Sequence, residues 1–439
     1  MADLKGYKGK SLEFLNKNNI EIGDLIKIIA DLSYTGILMP RYETSQDSHI
    51  VLKLKSGYNI GIELEKIEKI EKISSAEKSL EEESVRKTNS DLPKILLLST
   101  GGTIASTVDY RTGAVTPALT AADLNDTVPE ISEIANVDAE VLFSEYSENL
   151  QPKHWIETAK KINGLVDSDY KGIIIAHGTD TMHYTSAFLS FALSGFPIPI
   201  ILVGSQRSSD RPSSDAAVNL LAAIRFAVNV DSNGVFIVMH HNDTDDAIAC
   251  HFGTRVRKNH TSKRSAFETI GDNPAFIIKE DKIMKNSTKE FFTTEQYEPK
   301  LQIDTKVALV KYHPGYDPKQ IDDLIESGYK AIIFEGTGLG HIGNTMYNAV
   351  KKANEKGLFL GMTSQCIDGR TRMTVYESGR DLMELGITPL EDIIPEVALV
   401  KAMWALGNSE SIEDMKKLML QNTASEFTAV SYTHLTLPT

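Results

Sequence analysis

Apolar and polar positions follow two different rhythms along this chain, with a break near residue 90. Over residues 20–64 they alternate. Ile26 and Ile28 follow a turn at Gly23-Asp24, and the alternation over 50–55 stops at Ser56-Gly57 and resumes over 58–64. Two period-two runs around one turn signal predict a hairpin in a half-buried antiparallel sheet, hence a small β-barrel-like domain at residues 1–75. Ile67, Ile70 and Ile73 extend the pattern weakly before it dissolves into Ser, Lys and three consecutive Glu. Residues 76–92 therefore read as a charged linker.

From Lys94 the alternation gives way to short continuous apolar runs at 95–98, 173–176, 198–203 and 235–239, separated by amphipathic stretches at 155–166, 184–194 and 214–228. Strands buried on both faces look like this, so residues 93–285 are expected to form a larger doubly wound parallel-sheet domain. Beyond a linking stretch, runs at 307–311, 331–334 and 358–362 predict a smaller α/β domain at 305–428. The uncharged tail 431–439 continues no period and reads as foreign to the natural chain.

Composition narrows the class. Hydrophobic residues at 41% and charged residues at 24% suit a folded protein, and the formal charge is −14. The first 90 residues carry 14 Lys+Arg against 15 Asp+Glu, so nearly all the negative charge belongs to the α/β part. Sequence-independent grip on nucleic acid needs clustered basic charge, which disfavours that role for this chain. The two cysteines, Cys250 and Cys366, exclude a disulfide framework and suit a reducing compartment. The N-terminus lacks an apolar signal core and no apolar run approaches the ~20 residues of a membrane span, so a cytoplasmic location is expected.

Candidate chemistry collects at loops that leave strands. One strand ends in Thr100-Gly101-Gly102-Thr103, where two glycines allow close backbone approach and present a hydroxyl. Another ends in His177-Gly178-Thr179-Asp180-Thr181, and Lys258 stands in a loop after the fourth strand. A threonine hydroxyl is a weak nucleophile unless a neighbour removes its proton. A lysine held partly out of water suits that task, and Gly-turn N–H groups suit an oxyanion. Taken singly, a Gly-Gly turn, a Thr-Asp helix cap and a loop lysine are ordinary features. Together they suit acyl transfer from an amide.

Two other motifs compete. Gly338-Leu-Gly340-His-Ile-Gly343 matches the dinucleotide fingerprint, but the following strand ends in Thr363-Ser364 without the ribose-binding acid. Adjacent His240 and His241 point to opposite faces of a strand and have no matching ligand pair, so no metal is expected. No Walker-type phosphate loop occurs.

The stretches Ser-Thr-Gly-Gly-Thr-Ile-Ala at 99–105 and Ala-His-Gly-Thr-Asp-Thr-Met at 176–182 resemble the two signatures of the bacterial-type asparaginase family. The resemblance runs from about Lys94 to Leu406, through Val-Gly-Ser-Gln-Arg at 203–207, residues 255–261, and Ser-Gln-Cys-Ile-Asp-Gly-Arg at 364–370. It implies that Thr103 is the acyl-forming nucleophile, covered by Tyr110 from a lid, with Thr179, Asp180 and Lys258 as the activating set. It further implies that Ser147 holds the substrate α-carboxylate and Asp180 the α-ammonium. Glu148 would also line the substrate site, where relatives often carry an uncharged residue. With the β appendage and acidic linker included, nearly the whole chain is similar to the D subunits of archaeal glutamyl-tRNA(Gln) amidotransferases. That resemblance implies an ammonia-generating amidase acting on L-asparagine or L-glutamine, without a cofactor of its own. A tRNA-binding E subunit would use ATP and Mg, in an α2β2 complex built on a homodimer of this chain. The alternatives are a free-standing L-asparaginase with an N-terminal regulatory domain, and a catalytically silent scaffold that binds an amino acid.

Overall fold

Alternating burial builds the first unit. In the computed structural model, which describes residues 4, 7–39, 47–54, 59–74, 91–101, 106–108, 115–117, 128, 130–207, 214–280, 282–287 and 297–428, helix α1 (Gly9–Lys17) precedes five antiparallel strands. These are β1 (Leu25–Ile29), β2 (Ser33–Leu38), β3 (His49–Leu54), β4 (Asn59–Glu63) and β5 (Lys69–Ser74), in the order β4-β3-β2-β1-β5. Ile26, Ile28, Leu38, Ile50, Leu52 and Ile62 point into one core with Leu15 of α1, while the intervening residues face outward. Helix α1 leaves little trace in the sequence: Gly9, Lys10 and Lys17 mask a short apolar stripe of Leu12 and Leu15. Of the charged linker at 76–92 only Asp91 and Leu92 are described, and the tail 431–439 lies outside the described residues.

The larger α/β domain is an eight-stranded sheet. Its strands are β6 (Lys94–Ser99), β9 (Asn136–Val141), β10 (Tyr170–Ala176), β11 (Pro199–Val203), β12 (Gly234–His240), β13 (Ile248–Phe252), β16 (Phe276–Lys279) and β17 (Lys282–Lys285). Between them in the chain lie two small ribbons, β7 (Ser106–Val108) with β8 (Val115–Pro117), and β14 (Val256–Lys258) with β15 (Phe267–Thr269). The sheet order is β17-β16-β13-β12-β11-β10-β6-β9. Strands β9, β6, β10, β11 and β12 are parallel, as the continuous apolar runs imply. The sheet then continues into an antiparallel meander of β13, β16 and β17. Helices α2 (Ile131–Ile134), α3 (Pro152–Asn163), α4 (Met182–Ala192) and α5 (Ala216–Asn229) connect the parallel strands.

The smaller domain is a four-stranded parallel sheet in sequence order, β18 (Val307–Lys311), β19 (Ala331–Gly336), β20 (Phe359–Ser364) and β21 (Thr388–Pro389). It carries α6 (Lys319–Glu326), α7 (Tyr347–Glu355), α8 (Glu377–Glu384), α9 (Pro395–Gly407) and α10 (Ile412–Leu420). The two α/β domains are fused rather than merely stacked. One continuous core joins Phe188 and Phe191 of α4 to Val397 and Trp404 of α9, and the Phe191 and Trp404 rings stack at 5.5 Å. Such aromatic burial makes the seam between domains a rigid part of the fold. Among the described residues no helix is long and apolar enough to cross a membrane.

The glycine-rich decoy resolves into packing. In the turn after β19, the Thr337 N–H donates to the His341 carbonyl and Ser364 Oγ donates to the Gly338 carbonyl at 2.6 Å. A side chain at Gly343 would run into the Tyr312 hydroxyl, which is what close strand–helix approach requires.

Candidate active site

In a doubly wound sheet the ligand crevice lies at the carboxyl ends of the strands, where the strand order reverses. Here that point is between β6 and β10, because the chain leaves β6 towards β9 on one side and returns as β10 on the other. The register sets Ser99 level with both Ala176 and Val141, so three strand tips end together.

The first tip is drawn into the crevice by Thr100, whose N–H and hydroxyl both donate to the Ala176 carbonyl at 3.0 Å. Gly101 then takes a φ of +102°, and a Cβ there would strike the Glu145 backbone. Only glycine meets both conditions. The residues that follow, among them Thr103 and Tyr110, lie outside the described residues.

The second tip carries most of the described chemistry. Gly178 lets β10 approach the turn after β9: a Cβ there would fall 2.8 Å from Ser147 Cβ and 2.9 Å from its Oγ. Ser147 is buried at the start of a single helical turn (Ser147–Asn149), and Thr181 Oγ1 donates to its carbonyl at 2.7 Å. Glu148 is exposed, and among the described residues its side chain makes no hydrogen bond or ion pair with the neighbouring cluster. Thr181 occupies the N-cap position of α4 yet makes no capping bond. Helix capping therefore does not account for this run of hydroxyls, and Thr179 and Asp180 are left for other partners.

Their partner is Lys258. Its Nζ donates to Thr179 Oγ1 at 2.8 Å and to Asp180 Oδ1 at 2.6 Å. The lysine side chain is 10% exposed and the aspartate 67%, so the amine is sheltered while the carboxylate faces solvent and any arriving substrate. The route by which Lys258 arrives differs from the loop expected in the sequence. Strand β13 runs antiparallel to β12, so it ends at Phe252 on the side of the sheet opposite the crevice. The short strand β14 then brings the chain back beside α4, and Lys258 is its last residue, paired with Phe267. The physical reason is the antiparallel meander: a strand that reverses must be followed by one that returns.

Among the described residues, His177 and His183 beside the site are both weak bases. Burial pushes His177 down to about 4 against the hydrogen bond to the Gly178 carbonyl. Its Nδ1 lies 2.6 Å from that carbonyl and its Nε2 2.9 Å from Thr185 Oγ1, so a neutral ring protonated at Nδ1 satisfies both contacts. His183 is also pushed down to about 4, by burial first and then by the charges of Arg257, His177 and Lys258. The amine of Lys258 is thus the nitrogen group in contact with Thr179.

Three further contributors carry little sequence signal. Buried Asp215 accepts from the N–H groups of Gln206 and Arg207, at 3.0 and 2.9 Å, and holds the loop after β11. Arg255 and Arg257 flank β14's first residue with ion pairs to Asp392 and Glu396. The alternation Arg-Val-Arg-Lys is the available signal for the two arginines; Asp215 gives none beyond being an acid before an apolar helix. His240 is engaged through both ring nitrogens, with Asn219 Oδ1 at 2.6 Å and Asp245 Oδ1 at 3.0 Å.

Comparison with known proteins agrees with this fold. Residues 94–290 match the asparaginase N-terminal domain, 306–419 the glutaminase/asparaginase C-terminal domain, and 20–73 the GatD N-terminal domain. The chain is 45% identical to the glutamyl-tRNA(Gln) amidotransferase D subunit of Sulfolobus acidocaldarius over 98% of this chain and 96% of that one. It is 45% identical to the protein of the same name from Pyrococcus abyssi, over 95% of this chain and 97% of that one. Among solved structures, the thermostable L-asparaginase from Thermococcus kodakarensis superposes with a TM-score of 0.69 at 30% identity, covering 77% of this chain and 100% of that one. A probable cytoplasmic L-asparaginase from Campylobacter jejuni gives a TM-score of 0.63 at 27% identity, covering 75% and 99%.

Proposed function

Because the chain belongs to the family of glutamyl-tRNA(Gln) amidotransferase D subunits, we propose that Lys258, Thr179 and Asp180 work with Thr103 to release ammonia from an amide donor. The protein is an asparaginase-type amidohydrolase acting within a tRNA-dependent amidotransferase, whose overall product is Gln-tRNA(Gln) from Glu-tRNA(Gln). The observation that carries the catalytic assignment is the sheltered amine of Lys258 within 2.8 Å of the Thr179 hydroxyl, at the reversal point of the sheet.

In this reading Thr103 Oγ attacks the side-chain amide carbon of L-asparagine or L-glutamine. Its C–O bond forms as the C–N bond breaks, and the nitrogen leaves as ammonia after taking up the threonine proton. Water then cleaves the ester, returning a proton to Thr103 and releasing aspartate or glutamate. The first step moves a proton from the Thr103 oxygen to the leaving nitrogen and the second moves one from water to the Thr103 oxygen, and the Thr179–Lys258 pair relays both. The contact between Thr179 Oγ1 and Lys258 Nζ is the path over which that proton passes. Asp180 and Ser147 hold the α-ammonium and α-carboxylate of the donor, Glu148 borders them, and Tyr110 covers the reacting hydroxyl. The chain needs no cofactor of its own. A tRNA-binding E subunit uses ATP and Mg to activate the glutamyl group, in a cytoplasmic α2β2 complex built on a homodimer of this chain.

A free-standing L-asparaginase with a regulatory domain is less well supported. The solved L-asparaginases are spanned end to end by about three quarters of this chain, whereas the D subunits align over 95–98% of it. Ammonia release from both amides by the purified chain, alone and with its tRNA-binding partner and glutamyl-tRNA(Gln), tests the proposal. Thr103→Ala should abolish release with the circular dichroism spectrum unchanged, and turnover in that variant near the wild-type rate would refute it.

A further inference from the structure

Strand β14 is only three residues long, and the side chains from Arg255 to Lys258 alternate between two domains. Val256 is buried in the core that joins the two α/β domains, and Lys258, on the same side, reaches Thr179 and Asp180 of the larger one. Arg255 and Arg257 point the other way and are taken up by carboxylates of the smaller domain. Period two makes this division unavoidable: whatever pins the two arginines sets where Lys258 stands, because three residues of strand span only about 10 Å.

The pins are built, not incidental. Arg255 is fully buried and meets Asp392 Oδ2 through both terminal nitrogens at 3.1 Å, so its rigid guanidinium is centred on one carboxylate oxygen. Its remaining donors reach the Ser425 carbonyl at 3.0 Å and Thr428 Oγ1 at 3.0 Å. Asp392 is itself held by the Thr428 N–H at 2.9 Å and hydroxyl at 2.7 Å. Burial raises the Asp392 carboxyl, but the Arg255 charge and the Thr428 hydrogen bonds outweigh it and keep the group below its ordinary value. Arg257 pairs with Glu396 at 3.0 Å in the first turn of α9.

We propose that Arg255 and Arg257 are positioning residues for Lys258, which fasten its strand to Asp392 and Glu396 so that the smaller domain sets the amine-to-hydroxyl distance at Thr179. The proposal rests on Lys258 acting in the amide hydrolysis described above. It makes the smaller domain a part of the chemistry through these four side chains, which act on Lys258. Displacement of a catalytic group by about 1 Å lowers turnover without removing any substrate contact, so the signature is a loss in kcat with little change in KM.

Ammonia release by Arg257→Gln and Glu396→Gln tests this, because Glu396→Gln keeps side-chain size and Arg257 is partly exposed, so its shortening opens no sealed cavity. Each should lower kcat about tenfold or more, leave KM within about twofold, and leave the melting temperature within a few degrees. The exchange Arg257→Glu with Glu396→Arg restores a pair and should recover most of the loss. For the buried partner, Arg255→Lys keeps the charge but removes the fork, and should lower kcat in a chain still folded by circular dichroism. Single variants that keep kcat within twofold, or an exchange variant no better than the singles, would overturn the proposal. Lys258→Ala, run alongside, separates the two failures. If it stays active, the catalytic reading itself is lost. If it is inactive while the seam variants are unimpaired, only the positioning role is lost.

Discussion

Two lysine–carboxylate pairs in the same body have opposite fates. At the crevice, Lys258 meets Asp180 at 2.6 Å, with the lysine sheltered and the aspartate largely exposed. At the junction of α9 with the C-terminal segment, Lys401 meets Glu426 at 2.5 Å with both side chains fully buried. The three donors of Lys401 are all spent, on Glu426 Oε1 and on the carbonyls of Met419 and Gln421. Phe191 and Phe427 cover it at 5.8 and 5.3 Å. Glu426 in turn accepts from the N–H groups of Thr423 and Ala424. Lys258, by contrast, contacts a hydroxyl and a solvent-facing carboxylate that a substrate ammonium can share. The charges are alike, and the neighbours decide: a saturated pair holds a chain segment in place, while an unsaturated one beside a hydroxyl is available for proton exchange.

The sharpest way to break this contrast is to remove each lysine. Lys258→Ala should lower kcat for ammonia release by roughly three orders of magnitude or more, as for groups that act as a unit, with the melting temperature changed little. Lys401→Met should do the reverse. It strands the Glu426 carboxylate in the interior and should cost about 3–5 kcal/mol in chemical denaturation, while kcat at a temperature where the variant is folded falls less than tenfold. Equal damage to both properties by both variants would dissolve the distinction.

A smaller effect sharpens it through pH. His177 and His183 are held down at about 4 and His251 at about 3, burial being the leading cause for each, against an ordinary value of 6.5. Below 6.5 the unfolded chain binds protons that the folded chain refuses, so stability rises with pH through this window. It is fully present above 6.5 and is lost as pH falls towards 4. Each ring contributes a slope of up to about 1.4 kcal/mol per pH unit. Denaturation midpoints at pH 7.5, 6 and 5 should decline in that order. A flat profile would mean that these rings are not held neutral.

Much of this fold is legible because its strands are buried on both faces. The apolar runs at 95–98, 173–176, 198–203 and 235–239 stand out without any need for periodicity, and they form the body of β6, β10, β11 and β12. Strand β9 does not stand out as a continuous apolar run: Asn136–Val141 is an edge strand that alternates polar and apolar residues over only six positions and buries none of them. The meander β13, β16 and β17 is hidden for another reason. Its members are short, and their antiparallel sense depends on pairing partners distant in sequence. The same blind spot places Lys258 on a loop instead of at the end of β14. Thr179, Asp180 and Lys258 are readable as a set because hydroxyl, carboxylate and amine, each ordinary singly, together suit acyl transfer and fall in stretches that resemble a known family. Its support is not readable, because Asp392 and Glu396 lie far along the chain from the arginines they hold.

The most direct test of the catalytic account is acid quenching of the protein during turnover of L-glutamine or L-asparagine, followed by mass spectrometry of its peptides. An acyl ester located on Thr103, accumulating in Lys258→Ala if the first step survives and absent from Thr103→Ala, is the predicted result. An ester on Thr179, or steady ammonia release with no acyl peptide and full activity in Thr103→Ala, would contradict it.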